Sequence, residues 1–164
     1  MSPRITPAYI FDIDGTLADI THRIHFIRNP EGKKDWVAFK HFVFADKPIK
    51  HMVDLCRTLY WASRRYYDED GRLPWDVVLM SGRNEHQRDD TIKWLAEVAC
   101  LPTMPLYMRK DEDYRADDII KRELLSEVRA DGYAPIMAFD DRDRVVAMWR
   151  ANDVPCAQVA PGDF

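Results

Sequence analysis

The run Tyr9-Ile10-Phe11-Asp12-Ile13-Asp14-Gly15-Thr16-Leu17 constrains this chain more than any other stretch. A short apolar strand ends in two carboxylates spaced two apart, followed by a Gly-Thr turn. Side chains at i and i+2 of a strand share a face, so Asp12 and Asp14 are expected to emerge together at the strand's carboxyl end. Open α/β sheets place their sites at that end. One carboxylate can attack there while its neighbour moves protons. A calcium loop of the EF-hand type is excluded, because it needs its glycine two positions later than Gly15.

Hydrophobic patterning places this run in an alternating α/β chain. Strands are expected over 8–13, 76–80, near 104–108, over 135–139 and over 156–159. A helix follows Lys47-Pro48, with Ile49, Met52, Val53, Cys56, Leu59 and Tyr60 at helical spacing. Further helices are expected over 86–100, with the stripe Ile92, Leu95, Ala96 and Ala99, over about 115–129, and over 142–151. Residues 19–48 read as irregular or mixed, with Trp36, Phe39, Phe42 and Phe44 clustered. Residues 64–75 are polar, with Asp70-Gly71 as a turn. Strands alternating with helices imply a parallel sheet covered on both faces.

The 164 residues suit a single domain, and 46% hydrophobic content is ample for one core. No apolar run approaches the ~20 residues of a membrane span. The segment Met1-Ser2-Pro3-Arg4-Ile5-Thr6-Pro7 lacks the apolar stretch of a signal peptide, so a cytoplasmic location is expected. Cys56, Cys100 and Cys156 are odd in number and widely spaced, and no C-x-x-C occurs, which argues against a disulfide framework or zinc site. His22 and His25 form H-x-x-H without further ligands nearby. A net charge of −4 excludes a protein that coats nucleic acid. A nucleic-acid substrate would be held locally, by a few arginines at an end.

The D-x-D-G-T run resembles the first motif of the haloacid dehalogenase superfamily of phosphotransferases. Three further segments resemble its other motifs in order: Val77-Val78-Leu79-Met80-Ser81-Gly82-Arg83, then Lys121 in a helical stretch, then Ile136-Met137-Ala138-Phe139-Asp140-Asp141-Arg142-Asp143. The resemblance implies a Rossmann-like fold with strand order 5-4-1-2-3. Residues 19–48 leave room for a small lid only, and an open site suits a bulky or polymeric substrate.

By resemblance, Asp12 is the nucleophile that forms an aspartyl-phosphate, and Asp14 is the general acid and base. Lys121 neutralises charge on the Asp12–phosphate pair, with Lys110 as a less well placed rival. Four carboxylates, Asp12, Asp14, Asp140 and Asp141, facing a phosphate dianion require a hard cation, and all-oxygen ligands favour Mg²⁺. The family pattern holds it through a first-motif carboxylate, the main-chain carbonyl of Asp14 and a fourth-motif carboxylate. Asp140 is favoured for direct ligation, with Asp141 direct or through water. Ser81, the main-chain N–H groups at Gly82 and beyond, Thr16 and Arg83 are candidates for binding phosphoryl oxygens.

A narrower resemblance covers the last third of the chain. Tyr107-Met108-Arg109-Lys110-Asp111, Arg115-Ala116-Asp117-Asp118-Ile119-Ile120-Lys121, Phe139 through Arg150, and the tail Gln158 through Phe164 are similar to the phosphatase domain of polynucleotide kinase–phosphatases. This implies a 3′-phosphatase acting on DNA or RNA ends, with Arg23 and Arg109 as phosphate or backbone contacts. A separate kinase or ligase partner would fit, since no P-loop G-x-x-x-x-G-K-[ST] occurs in this chain. Residues 64–75 are longer than the resemblance requires and are expected to alter the rim of the site. The competing readings are a nucleotidase or general small-molecule phosphomonoesterase, and a binding module for phosphorylated ends.

Overall fold

A computed structural model describes residues 5–28 and 32–162. Residues 1–4, read above for a leader, and the final Asp163-Phe164 of the tail lie outside the described residues. Five parallel strands, β1 (Thr6–Phe11), β4 (Asp76–Asn84), β5 (Leu106–Arg109), β6 (Tyr133–Asp140) and β7 (Cys156–Gln158), form one sheet in the order β5-β4-β1-β6-β7. This is the order expected from the resemblance, with the first strand central.

Period-2 alternation divides the sheet's side chains between two cores. Phe11, Val77, Leu79 and Phe139 face one side, where they pack with Met52, Val53, Cys56, Trp94 and Leu95. Those residues belong to α2 (Lys50–Ser63) and α3 (Arg88–Glu97). Ala8, Ile10, Val78, Met80 and Ala138 face the other side, against α4 (Asp117–Ala130) and α5 (Asp143–Ala151). There Ile120, Leu124, Leu125 and Val128 of α4 meet Val145, Met148 and Trp149 of α5. Truncating Ile120, Leu124 or Leu125 to alanine costs about 2–5 kcal/mol. The acids Asp117 and Asp118 open α4 and Arg129 sits in its last turn, both matching the helix dipole.

The lid is tied at its base by a two-stranded antiparallel ribbon, β2 (Ala18–Asp19) with β3 (Lys47–Pro48). Within it lie a 3-10 turn (Ile24–Phe26), the short helix α1 (Trp36–His41) and a second 3-10 turn (Val43–Ala45). Its small core is Ile20, Ile27 and Phe39. Of the four aromatic residues read as a cluster, Phe39 alone is buried, while Trp36, Phe42 and Phe44 stay about two-fifths exposed at 43%, 44% and 43%.

Two expectations need correction. The buried stripe of α3 is Thr91, Trp94 and Leu95, continued by Ala99, whereas Ile92 and Ala96 are exposed. The Trp94 indole fixes this phase, because its Nε1 donates to the Asp46 main-chain oxygen at 2.8 Å. Residues 64–75 do not rim the site. They lead into the amino-terminal end of β4, where Arg64 pairs with Asp76 at 2.8 Å, and the site lies at the opposite, carboxyl ends of the strands. No helix among the described residues is long and apolar enough to cross a membrane.

Candidate active site

The carboxyl ends of β1 and β6 are hydrogen-bonded neighbours, so Asp12, just beyond β1, sits next to Asp140, the last residue of β6. Helix α4 crosses behind them and sends Lys121 between the two. Its Nζ donates to Asp12 Oδ1 at 2.6 Å and to Asp140 Oδ2 at 2.7 Å. Asp140 is held further by Trp149 Nε1 at 3.1 Å and by the Arg142 main-chain N–H at 3.2 Å. Asp141 completes a buried group in which oxygens of Asp12, Asp140 and Asp141 lie within 4.8 Å of one another. Lys110, the rival lysine, is instead at the surface, 3.6 Å from Glu127.

Three carboxylates and one ammonium leave a buried excess of negative charge. Burial and the neighbouring Asp140 push the Asp141 carboxyl up to about 7. Burial likewise raises Asp12 well above the usual range, helped by Asp140 and Asp141 and opposed by Lys121. Burial opposes the charge of Lys121, but Asp12 and Asp140 outweigh it and hold the ammonium protonated. Buried charge of one sign costs several kcal/mol per ion unless compensated. A hard divalent cation fits this donor set, since every available atom is a carboxylate oxygen.

Asp14 goes elsewhere. The strand ends at Phe11, and the chain turns as Ile13 O accepts from the N–H groups of Thr16, Leu17 and Ala18. Asp12 and Asp14 therefore line one cavity but serve two charge clusters. Asp14 Oδ1 accepts from Arg23 at 2.8 Å and from Arg83 at 2.5 and 3.0 Å. Burial works to raise its carboxyl, but Arg83 and Arg23 overcome burial and hold it well below the usual carboxylate range. The carboxylate of Asp14 is thus outside the acidic group of Asp12, Asp140 and Asp141.

No sequence pattern marks the residue that organises these arginines. Asp46, on the lid just before β3, has a side chain with 0% exposure and accepts from Arg23 Nε and NH2, both at 2.6 Å, and from Arg83 NH2 at 3.0 Å. His22 also lies 2.8 Å from its Oδ1, which accounts for half of the H-x-x-H. Asp117 is a second such residue, pairing with both Arg109 and Arg142. Its only sequence signal was its place inside the segment that carries Lys121.

Gly82, Arg83, Arg23 and Arg109 line a cavity of about 400 Å³ together with Asp12, Asp14, Lys121 and Asp141. The Arg109 guanidinium is already engaged at each nitrogen: Nε donates to Gly82 O at 2.9 Å, NH1 to the main-chain oxygens of Asp113 and Arg115, and NH2 to Asp117. Ser81 is fully buried, and its Oγ accepts from the Arg83 main-chain N–H at 3.2 Å. Thr16 is also fully buried, and its Oγ1 is the one buried side-chain polar atom among the described residues without a hydrogen-bond partner. Neither Ser81 nor Thr16 reaches the cavity wall.

Two glycines let backbone close around Asp141. Gly15 has φ +86°, and a Cβ there would sit 2.1 Å from Asp141 Oδ2. At Gly162 a Cβ would sit 2.2 Å from the Asp141 main-chain oxygen.

Comparison with known proteins agrees with this geometry. Residues 6–164 match the family described as the polynucleotide kinase PNKP phosphatase domain. The chain is 27% identical over 113 residues to a bifunctional polynucleotide kinase/RNA ligase homologue of Autographa californica nuclear polyhedrosis virus, covering 57% of this chain and 16% of that one. It superposes on a chain of the Pnkp1/Rnl/Hen1 complex with TM-score 0.72 and 30% identity, covering 98% of this chain and 47% of that chain. A second structure, of the Pnkp1/Rnl/Hen1 RNA repair complex, gives TM-score 0.73 at 30% identity, covering 98% and 44%. The chain therefore spans less than half the length of these relatives. With its four motif segments meeting in one cavity and nearly its whole length matched, the chain belongs to the polynucleotide kinase PNKP phosphatase domain family.

Proposed function

We propose that this chain is a Mg²⁺-dependent polynucleotide 3′-phosphatase that works through an aspartyl-phosphate on Asp12. The observation that carries this reading is Lys121, buried and bonded to both Asp12 and Asp140 on the cavity floor. That arrangement fixes and aims the Asp12 carboxyl, and the Lys121 ammonium opposes the burial that raises it, which favours the attacking carboxylate form. Asp12, Asp140 and Asp141, with the main-chain carbonyl of Asp14, would hold Mg²⁺, which supplies charge neutralisation for the phosphoryl oxygens.

Arg23 and Arg83 are the phosphate-binding pair. While both bond Asp14, its carboxylate is ionised and suited to take a proton from water. An arriving phosphate dianion competes for the two guanidiniums and frees Asp14 to rise in proton affinity. Asp14 then takes up a proton from solvent and donates it to the leaving 3′-oxygen as the Asp12–phosphorus bond forms and the ester P–O bond breaks, and takes a proton back when water attacks the phosphoaspartate. Arg109 acts by tying Gly82 and the loop after β5 together. Substrate ends of DNA or RNA and a separate kinase or ligase partner belong to the same reading, supported by the named activities of the relatives, and a cytoplasmic location is proposed with it.

The test is Mg²⁺-dependent phosphate release from matched oligonucleotides carrying a 3′- or a 5′-phosphate, beside a nucleoside 3′-monophosphate. Release from the 3′-phosphorylated oligonucleotide alone is expected, abolished by EDTA and by Asp12→Asn. Equal release from the mononucleotide would make the chain a general phosphomonoesterase instead.

A further inference from the structure

Most cations around the cavity are already matched with carboxylates. Arg23 and Arg83 face Asp14 and Asp46, Arg109 faces Asp117, and Lys121 faces Asp12 and Asp140. Lys40, on the lid helix α1, is different. Its Nζ donates to a neutral amide oxygen, Asn84 Oδ1, at 2.5 Å, and no carboxylate among the described residues lies within ion-pair distance. Asn84 is itself fixed, donating from Nδ2 to Lys110 O at 3.2 Å, and its carboxamide holds the ammonium at the end of β4. A half-buried cation, positioned by a buried neutral side chain and lining the cavity, is a site for an anion that the protein does not supply.

The same lid helix begins with Trp36, which lines the cavity and is 43% exposed, with Lys34 over its ring at 5.6 Å. Tyr114, from the loop after β5, also lines the cavity and is 85% exposed. Trp36 meets Phe39 edge-on at 5.9 Å, which leaves two-fifths of its surface, and most of Tyr114, open to the cavity and solvent. Aromatic side chains beside a backbone-tracking cation are the general means of holding single-stranded nucleic acid, because every base has a π-face.

We propose that the lid helix is a strand-reading element, in which Lys40 takes the internucleotide phosphate next to the terminal one, and Trp36 and Tyr114 stack the terminal nucleobase. The inference rests on the polynucleotide reading above and deepens it. It makes the substrate a single-stranded end of at least two nucleotides and explains why the lid is a helix rather than a bare loop.

The test compares steady-state phosphate release from a 3′-phosphorylated hexanucleotide, a nucleoside 3′-monophosphate and an aryl phosphate, using the parent chain, Lys40→Ala, Lys40→Arg, Trp36→Ala and Trp36→Phe. Lys50→Ala, an exposed position on α2, is the control. In Lys40→Ala and Trp36→Ala, KM for the hexanucleotide is expected to rise about tenfold with kcat little changed, as for loss of one phosphate or stacking contact. The loss on aryl phosphate should be much smaller, and Lys40→Arg and Trp36→Phe should recover most of the affinity. Lys40→Ala should also flatten the dependence of log KM on log salt by about 0.7, one phosphate of a single strand. Equal losses on hexanucleotide and aryl phosphate, with the parent still preferring the hexanucleotide, would overturn the strand-reading role alone. A parent chain with no preference for the hexanucleotide over the nucleoside monophosphate would overturn both this role and the polynucleotide reading.

Discussion

At the scale of single residues, the site is two charge clusters, one with an excess of carboxylates and one balanced, separated by the Asp12-Ile13-Asp14 turn. Around Asp12 the carboxylates outnumber the cation. Around Asp14 the two guanidiniums are matched only because Asp46 reaches in from the lid. Arg23 and Arg83 have side chains 0% and 2% exposed, so their charge is balanced by the two carboxylates more than by water. Asp46→Ala leaves two buried guanidiniums sharing one carboxylate, and removing one partner of a buried pair costs about 3–5 kcal/mol. It should also lower phosphate release at a temperature where the variant is still folded, because the arginines then close more tightly on Asp14. Urea unfolding followed by activity on the folded variant checks both. The exposed pair Lys50–Asp54 at 2.7 Å is the comparison, and Asp54→Ala there should leave stability and activity as they were. Parent-like stability of Asp46→Ala would mean that water reaches the arginines and that Asp46 is not their organiser.

At the scale of elements, the turn after β1 depends on Gly15. With φ +86° and Asp141 Oδ2 2.1 Å from any added Cβ, Gly15→Ala meets backbone strain and a displaced carboxylate together. Gly71 has φ +68° with nothing within 4 Å, so Gly71→Ala meets strain alone. Both should lose about 1–3 kcal/mol of stability, but only Gly15→Ala should lose activity, by at least about tenfold. Equal activity in the two variants would show that Asp141 tolerates displacement. The strands and the first-motif turn were legible in the sequence because apolar runs ending in Asp12, Ser81 and Asp140 are local signals. Lys121 was legible because helical spacing and its motif agreed. Asp46 was not, since its partners lie 23 and 37 residues away and a lone acid before Lys-Pro carries no pattern. The phase of α3 was misread for a related reason. Ile92 is the more apolar residue, but the Trp94 indole has a main-chain acceptor inside the fold, and that bond sets which face is buried. The split between Asp12 and Asp14 followed from the strand ending at Phe11, where the i, i+2 rule stops applying.

At the scale of the whole molecule, the buried acidic group links stability to pH and to metal. Asp141, pushed up to about 7 by burial and Asp140, holds its proton more tightly folded than unfolded, where a carboxyl titrates near ~3.9. Its contribution is fully present below ~4 and is lost as pH rises through the window to about 7, a change of about 4 kcal/mol for this group. Asp12, raised by burial, acts in the same direction, whereas Asp14, held low by its arginines, changes stability only below ~4. Metal-free protein should therefore lose thermal stability between pH 5 and pH 7.5. Mg²⁺ bound as proposed at Asp12, Asp140 and Asp141 would compete with the same protons, so its apparent affinity should fall up to about tenfold per pH unit below the Asp141 midpoint. A fixed Mg²⁺ concentration should then raise the unfolding temperature clearly at pH 7.5 and barely at pH 5. Asp141→Asn removes the titrating group, and its metal-free unfolding temperature should vary less with pH across that window. Thermal unfolding of EDTA-treated parent and Asp141→Asn, with and without Mg²⁺ at the two pH values, reads this without any substrate. A Mg²⁺ shift of equal size at both pH values would mean that the cation binds away from Asp12, Asp140 and Asp141, and that the buried charge there is balanced by protons alone.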